Sequence, residues 1–391
     1  MKEFIYYTPT KVFFGKGYER KVGEILKSYK IKKVLFHYGQ KSIKETGLYD
    51  IVKESLTKAG ISCIELGGVE PNPKISLVRK GVEICKQEQI ELVLAVGGGS
   101  VIDSAKSIAL GAKTSEDPWR FNVKEVEPYD ALPVGVILTI SAAGSEMSNS
   151  CVITNEELKL KRGFNHDLNR PLFAILNPEL TYTVSKYQTA CGIVDIMMHT
   201  LERYFSSHDF IELTDSMSLA LLKAVKNAGL KAIHNPRDYE ARATLMWASS
   251  LSHNGLTASL KNTYMPVHQL EHELSGMYDE VPHGVGLAIL FPAWARLVYH
   301  QNYQKFARLG VEVFDVNPNQ AIEDQTKEAI NNMEIYFKTI GMPTKLRELN
   351  IPNINIIGMA NSLTKNKTFV YQNAFTPIDF NFALEVYRKA Y

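Results

Sequence analysis

Hydrophobic and polar positions follow two rhythms along this chain. Up to about Pro178, short apolar runs of strand length alternate with stretches of helical period. "KKVLFHYG" reads as a strand ending at Gly39, "SCIELGG" as a short strand and "IELVLAV" as a buried one. "PVGVILTI" and "PLFAILNP" are two further apolar, β-branched runs. Between these lie "ETGLYDIVKESLTKAG", "PNPKISLVRKGVEICKQEQ" and "SVIDSAKSIALGAK", which predict helices; Gly60 stops the first. Strands and helices alternating at this spacing predict a parallel sheet with helices on both faces. After Pro178 strand-like runs almost vanish. Segments 186–206, 212–233, 238–260, 266–275 and 284–300 all have helical period. The predicted fold class is an α/β N-terminal domain over residues 1–183, followed by an all-helical domain over 184–391.

Composition narrows the class of protein. The chain has 391 residues, 45% hydrophobic and 22% charged, an ordinary globular balance for two domains. Its 44 basic and 42 acidic residues leave a net charge of +2, which gives no reason to expect a nucleic-acid partner or an anionic membrane. The longest uncharged apolar stretch, "VGLAILFPAWA", is well short of the ~20 residues of a membrane helix and predicts a core helix. Cys63, Cys85, Cys151 and Cys191 form no C-x-x-C pair and read as reduced cytoplasmic thiols. The opening "MKEFIYYTPT" lacks the apolar run of a signal peptide.

Two places carry candidate chemistry. In "ELVLAVGGGSVIDSAK" a strand runs through Gly97, Gly98, Gly99 and Ser100 into a helix. Glycines let a backbone approach a ligand closely, and a helix N-terminus offers unpaired N–H groups to a phosphate. The pattern is neither the G-x-G-x-x-G fingerprint nor a Walker loop. Ser100 and Asp103 also form S-x-x-D, so a plain capping box in a bare turn is the alternative. The second place is helical. Ser185 and Gln188 form a capping box, and Asp195 and His199 then share one face of a very apolar helix. In "MPVHQLEHELSGMYDEVPHGVG", His268 and His272 are again four apart on a helix opened by Pro266. His283 follows in a loop before a Gly284-Val285-Gly286 turn. One carboxylate with two or three imidazoles suits iron or zinc. A hydrogen-bonded Asp–His couple in a helical core is the simpler alternative. "HQLEH" also matches the H-x-x-E-H peptidase motif, with His268 and His272 on zinc and Glu271 activating water; that leaves the glycine loop unexplained.

"GGGSVID", "GSE" at 144–146, "GIVDIMMHTLERYF" and "HQLEHELSG…PHG", in this order, resemble the iron-containing (group III) alcohol dehydrogenases. Within them the chain is most similar to the NADPH-dependent butanol dehydrogenase and aldehyde reductase branch. The resemblance spans nearly the whole chain. It implies a Rossmann-like dinucleotide-binding domain, a helical metal domain, a catalytic cleft between them, and a homodimer. It implies Asp195, His199, His268 and His283 as ligands of Fe²⁺ or Zn²⁺, with His272 facing substrate and cofactor. It implies a pyrophosphate on Gly97, Gly98, Gly99 and Ser100, Asp103 near the nicotinamide, and Thr139, Ser141, Lys161 and Leu180 along the dinucleotide path. Members often read Thr-Leu-Pro-Ala-Thr-Gly where this chain has Thr139-Ile140-Ser141-Ala142-Ala143-Gly144. "MSNSC" at 147–151 matches loosely, so the resemblance leaves the substrate open.

NAD-preferring relatives tend to carry an Asp after the first strand, which binds the ribose hydroxyls and repels a 2′-phosphate. Here that loop is Gly39, Gln40, Lys41 and Ser42, which suits a phosphate and predicts NADP(H). The expected reaction is hydride transfer between NADP(H) and a butanol/butanal-like pair. The pocket is expected to be apolar, with Trp119, Phe164 and Cys151 in its wall. A zinc-dependent glycerol or polyol dehydrogenase is the nearest alternative. A dehydroquinate-synthase-like enzyme would need a basic cluster near the metal motifs, and none is there.

Overall fold

The computed structural model describes residues 3–258, 264–372 and 375–391. The alternating half of the chain builds one six-stranded parallel sheet from β1 (Lys11–Phe14), β2 (Lys33–Tyr38), β3 (Ser62–Leu66), β4 (Leu92–Gly97), β5 (Val134–Leu138) and β8 (Phe173–Leu176). Its order is β1-β8-β5-β4-β2-β3. Every residue of β4, β5 and β8 is buried, as expected of parallel strands covered on both faces. Two features escaped the apolar pattern. β1 holds only three apolar residues, Val12, Phe13 and Phe14, a run too short to stand out, and in the fold its centre is half-buried and its ends exposed. β6 (Ser150–Asn155) and β7 (Leu160–Asn165) form a separate antiparallel hairpin whose polar, Gly-containing strands carry no clean alternation.

The expected helices appear at Leu48–Lys58, Ile75–Gln87 and Gly99–Gly111. Gly60 adopts φ +70°, the left-handed conformation that ends the first of them. The remainder is helical: Lys186–Tyr204, Glu212–His234, Tyr239–His253, Pro266–Met277, His283–Val298 and shorter helices beyond. The helix expected over 238–260 stops at His253, and residues 259–260 lie outside the described residues. His283 and Gly284–Gly286 do not form a loop and turn: His283 opens the helix that ends at Val298. The small residues serve packing instead. A Cβ on Gly284 would lie 2.3 Å from the Cys191 carbonyl oxygen, and one on Gly286 2.6 Å from Glu271 Cγ.

Contacts divide the chain into two units. Tyr7–Val184 form one, and Ser185–Tyr391 with the N-terminal segment up to Tyr6 form the other. The helical unit has one extensive apolar core, built around the buried Trp294, Phe291, Phe306 and Phe337. No helix among the described residues is long and apolar enough to cross a membrane.

Candidate functional site

Strand order decides where a ligand can sit in the α/β unit. From β2 the chain crosses to β3 on one side and then to β4 on the other, so the β2/β4 boundary is a topological switch point. Tyr38 of β2 is the register partner of Val96 of β4, which sets Gly39–Ser42 and Gly97–Ser100 side by side at the C-terminal edge. The Thr139 N–H donates to the Gly97 carbonyl at 3.1 Å and brings 139–143 to the same edge. Close approach explains the glycines: a Cβ on Gly98 would lie 2.2 Å from Ile140 Cγ2, and one on Gly99 3.2 Å from Ala143 Cβ. Gly98 itself is extended, with φ −93°, so its dihedral does not require glycine.

The Ser100–Asp103 capping box is not made. The helix begins at Gly99 and has no side-chain cap, which leaves its N-terminus open to an anion. Asp103 instead accepts hydrogen bonds from Ser145 Oγ at 2.5 Å and Val152 N at 3.0 Å. Burial raises its pKa, against the Lys106 charge and these bonds. The sequence reading missed Lys106. Its Nζ is fully buried and donates to Ser145 Oγ and Ser150 O, both at 2.8 Å, tying segment 145–150 to the glycine-loop helix. Ser141 Oγ is buried without a partner among the described residues. Lys161 is buried on β7, with its charge felt by Asp103, while Leu180 packs on the core beneath the sheet. Lys41 and Gln40 are exposed. Trp119, Phe164 and Cys151 are buried in the layer formed by 119–122 and the hairpin, where the Cys151 thiol donates to the Asp103 carbonyl at 3.3 Å.

In the helical unit three helices converge. Ser185 caps Lys186–Tyr204 by accepting the Gln188 N–H at 3.1 Å, as its sequence predicts. That helix presents Asp195 and His199 one turn apart. Asp195 Oδ1 lies 3.5 Å from His199 Nδ1, 3.7 Å from His268 Nε2 and 3.8 Å from His283 Nε2. Asp195 Oδ1, His199 Nδ1 and His268 Nε2 are all buried without a hydrogen-bond partner. Orphaned buried polar atoms are costly, and three converging on one point call for a cation. Donors bound tetrahedrally at metal–ligand lengths of about 2.0–2.2 Å lie roughly 3.3–3.6 Å apart, close to the spacing here. The residues therefore fit a divalent metal.

Two glutamates orient the imidazoles. Glu202, fully buried, pairs with His268 Nδ1 and accepts the Val267 N–H at 2.6 Å, so it also caps the Pro266–Met277 helix. Glu271, also fully buried, pairs with His283 Nδ1. Glu202 was missed; its only sequence signal was a position one turn beyond His199, on the stripe that carries the ligands. Glu271 is committed to His283 and does not serve as a peptidase base. The His268 and His272 rings stand 6.5 Å apart and perpendicular, which removes the peptidase pairing. His272 groups instead with Glu271 and His283, beside the four-residue centre. Burial pushes the His268 pKa down, but the Glu202 and Asp195 carboxylates outweigh it and raise it to about 9. Burial, then the neighbouring His253 and His268, hold His199 well below its usual range.

Sequence profiles described as "Iron-containing alcohol dehydrogenase" and "Fe-containing alcohol dehydrogenase family, C-terminal" match residues 9–178 and 189–391. This chain belongs to the iron-containing alcohol dehydrogenase family. Like other members it is a metal-binding, NAD(P)(H)-linked oxidoreductase of alcohols and aldehydes. It is 43% identical to the NADH-dependent butanol dehydrogenase A of Clostridium acetobutylicum over the full length of both chains. It is 32% identical to an NADPH-dependent aldehyde reductase of Escherichia coli, over 94% of each. The crystal structure of NADH-dependent butanol dehydrogenase A from Thermotoga maritima superimposes with a TM-score of 0.95 at 36% identity, covering 100% of this chain and 99% of that one. Membership in the family is shown; the expected NADPH-dependent branch within it is not, since relatives named for either nucleotide match the chain.

Proposed function

We propose that the chain interconverts short aliphatic aldehydes and primary alcohols, of the butanal/butanol kind, using NADP(H) and a divalent metal. The observation that carries this is the trio of orphaned buried donors, Asp195 Oδ1, His199 Nδ1 and His268 Nε2. With His283 they would hold Fe²⁺ or Zn²⁺, which share these ligand types. When bound, the cation supplies Lewis-acid polarisation of the carbonyl and the nicotinamide supplies hydride. Asp195 brings the one charge of the ligand set, and Glu202 and Glu271 fix two imidazole planes. Gly97–Ser100 would take the pyrophosphate at the uncapped helix N-terminus. Thr139, Ser141, Lys161 and Leu180 would line the dinucleotide path, and Asp103 would act by holding 145–152. His272, beside His283, would carry the proton, since imidazole titrates in the working range.

For the nucleotide, the Gly39–Ser42 loop has no carboxylate and exposes Lys41, which favours NADP(H). The relatives named as NADH-dependent favour a second reading in which NADH is the working cofactor. Chelator-stripped protein, reloaded anaerobically with Fe²⁺ or Zn²⁺, should oxidise NADPH with butanal faster than it oxidises NADH. A higher kcat/KM for NADH would overturn the role given to Lys41. Turnover on glycerol but not butanal would turn the assignment to a polyol dehydrogenase. A homodimer in the cytoplasm completes the proposal, and sedimentation velocity tests the dimer.

A further inference from the structure

His283 and His268 each have a buried glutamate against the ring nitrogen that faces away from Asp195. His199 has none: among the described residues no glutamate pairs with its ring, whose Nδ1 is the nitrogen turned to Asp195. Its ring is instead held by other rings. His268 stacks on it with centroids 4.6 Å apart and planes at 23°. His253 lies closer, at 4.0 Å and 32°. His253 is the last residue of the Tyr239–His253 helix, which packs along the Lys186–Tyr204 helix that carries Asp195 and His199. It is half-buried, whereas His199 is buried. His253 stood outside every motif that the sequence singled out.

We infer that His253 is a positioning residue for the metal centre, its ring face setting the plane of His199 as Glu202 sets that of His268. This rests on the assignment of Asp195, His199, His268 and His283 as the metal's ligands. An imidazole ligand needs its donor lone pair aimed at the cation, so the ring's rotation about its χ angles must be restricted. A hydrogen bond to the far nitrogen does this for His268 and His283. Ring contact does it for His199, on which His268 stacks and against which His253 leans at 32°, because a ring so closely packed cannot turn without opening a gap. On that account it is the ring of His253 that acts on His199, so a phenyl ring should replace it there.

Co²⁺ is the probe, because its visible d–d bands report ligand geometry independently of turnover. Metal-stripped wild type, His253→Ala and His253→Phe are titrated with Co²⁺ against a competing chelator, after circular dichroism shows equal helix content. The expected result is about a tenfold weaker Co²⁺ affinity with shifted d–d bands for His253→Ala, the scale typical of losing a ligand's orienting partner. His253→Phe should stay within about twofold of wild type with an unchanged spectrum. An alanine variant matching wild type in both readouts overturns the inference, as does a phenylalanine variant as weak as the alanine one. Failure of the wild type to bind Co²⁺ at all would overturn the metal centre itself, an outcome distinct from the other two.

Discussion

His268 sits between two carboxylates, and this makes metal binding a proton-linked event. As a free side chain it is held up at about 9 by Glu202 and Asp195. A proton must leave before its nitrogen can bind a cation. Below about pH 9 the apparent metal affinity should therefore fall roughly tenfold per pH unit, one proton released per cation. Isothermal titration in buffers of different ionisation enthalpy counts that proton; a flat affinity between pH 6 and 8 contradicts the assignment. His199, held neutral by burial, adds no such dependence. His272 separates binding from chemistry. His272→Ala should keep the metal but slow turnover by about 10²–10⁴-fold, the range of a lost proton-transfer group. An unchanged pH–rate profile in that variant would remove the proton role.

At the scale of elements, the metal centre depends on two helices lying unusually close. Gly284 lets His283–Val298 meet the Lys186–Tyr204 helix at the Cys191 backbone. Backbone cannot yield as a side chain can, so Gly284→Ala must push the helices apart and carry His283 away from Asp195. Overpacking of this kind costs about 1–3 kcal/mol. The expected outcome is a lower melting temperature together with loss of metal, measured by metal analysis of the purified variant. Retained metal at full occupancy would mean the helices adjust without moving His283. The glycine loop follows the same logic in the α/β unit, where Gly98 makes room for Ile140.

For the whole molecule, one buried histidine links sheet and helix. His37 on β2 is fully buried, bonded through Nδ1 to the Leu66 carbonyl at 2.8 Å and through Nε2 to Ser104 Oγ at 2.9 Å. Ser104 belongs to the glycine-loop helix. Burial lowers the His37 pKa to about 4. The unfolded chain therefore binds a proton on this group from about pH 6.5 downwards, while the folded chain resists until about 4. Stability contributed by the neutral ring is present above 6.5 and is lost as pH falls. Between pH 7 and 5 the loss is about 2 kcal/mol. Urea unfolding at the two pH values measures it, and His37→Gln should flatten the dependence.

By itself the sequence determined the two-part fold and the ligand types. Burial periodicity is local, so β2, β4, β5 and the long helices stood in the apolar pattern, and Asp195–His199 shared a face by helical spacing alone. What it could not carry was partner choice across distance. Glu202 and Glu271 have the same local signature as any helix carboxylate; only packing showed them against His268 and His283. Asp103 read as a local cap because Ser100 was its nearest partner along the chain. Folding brought Ser145 and Val152 to it, residues more than forty positions away. His283 read as loop because glycines usually break helices; here two glycines serve helix approach, a reason that exists only once the helices have met. Spacing could not choose among the four imidazoles His199, His268, His272 and His283, because which ring nitrogens lie near Asp195 depends on how its helix packs against two helices far along the chain from it.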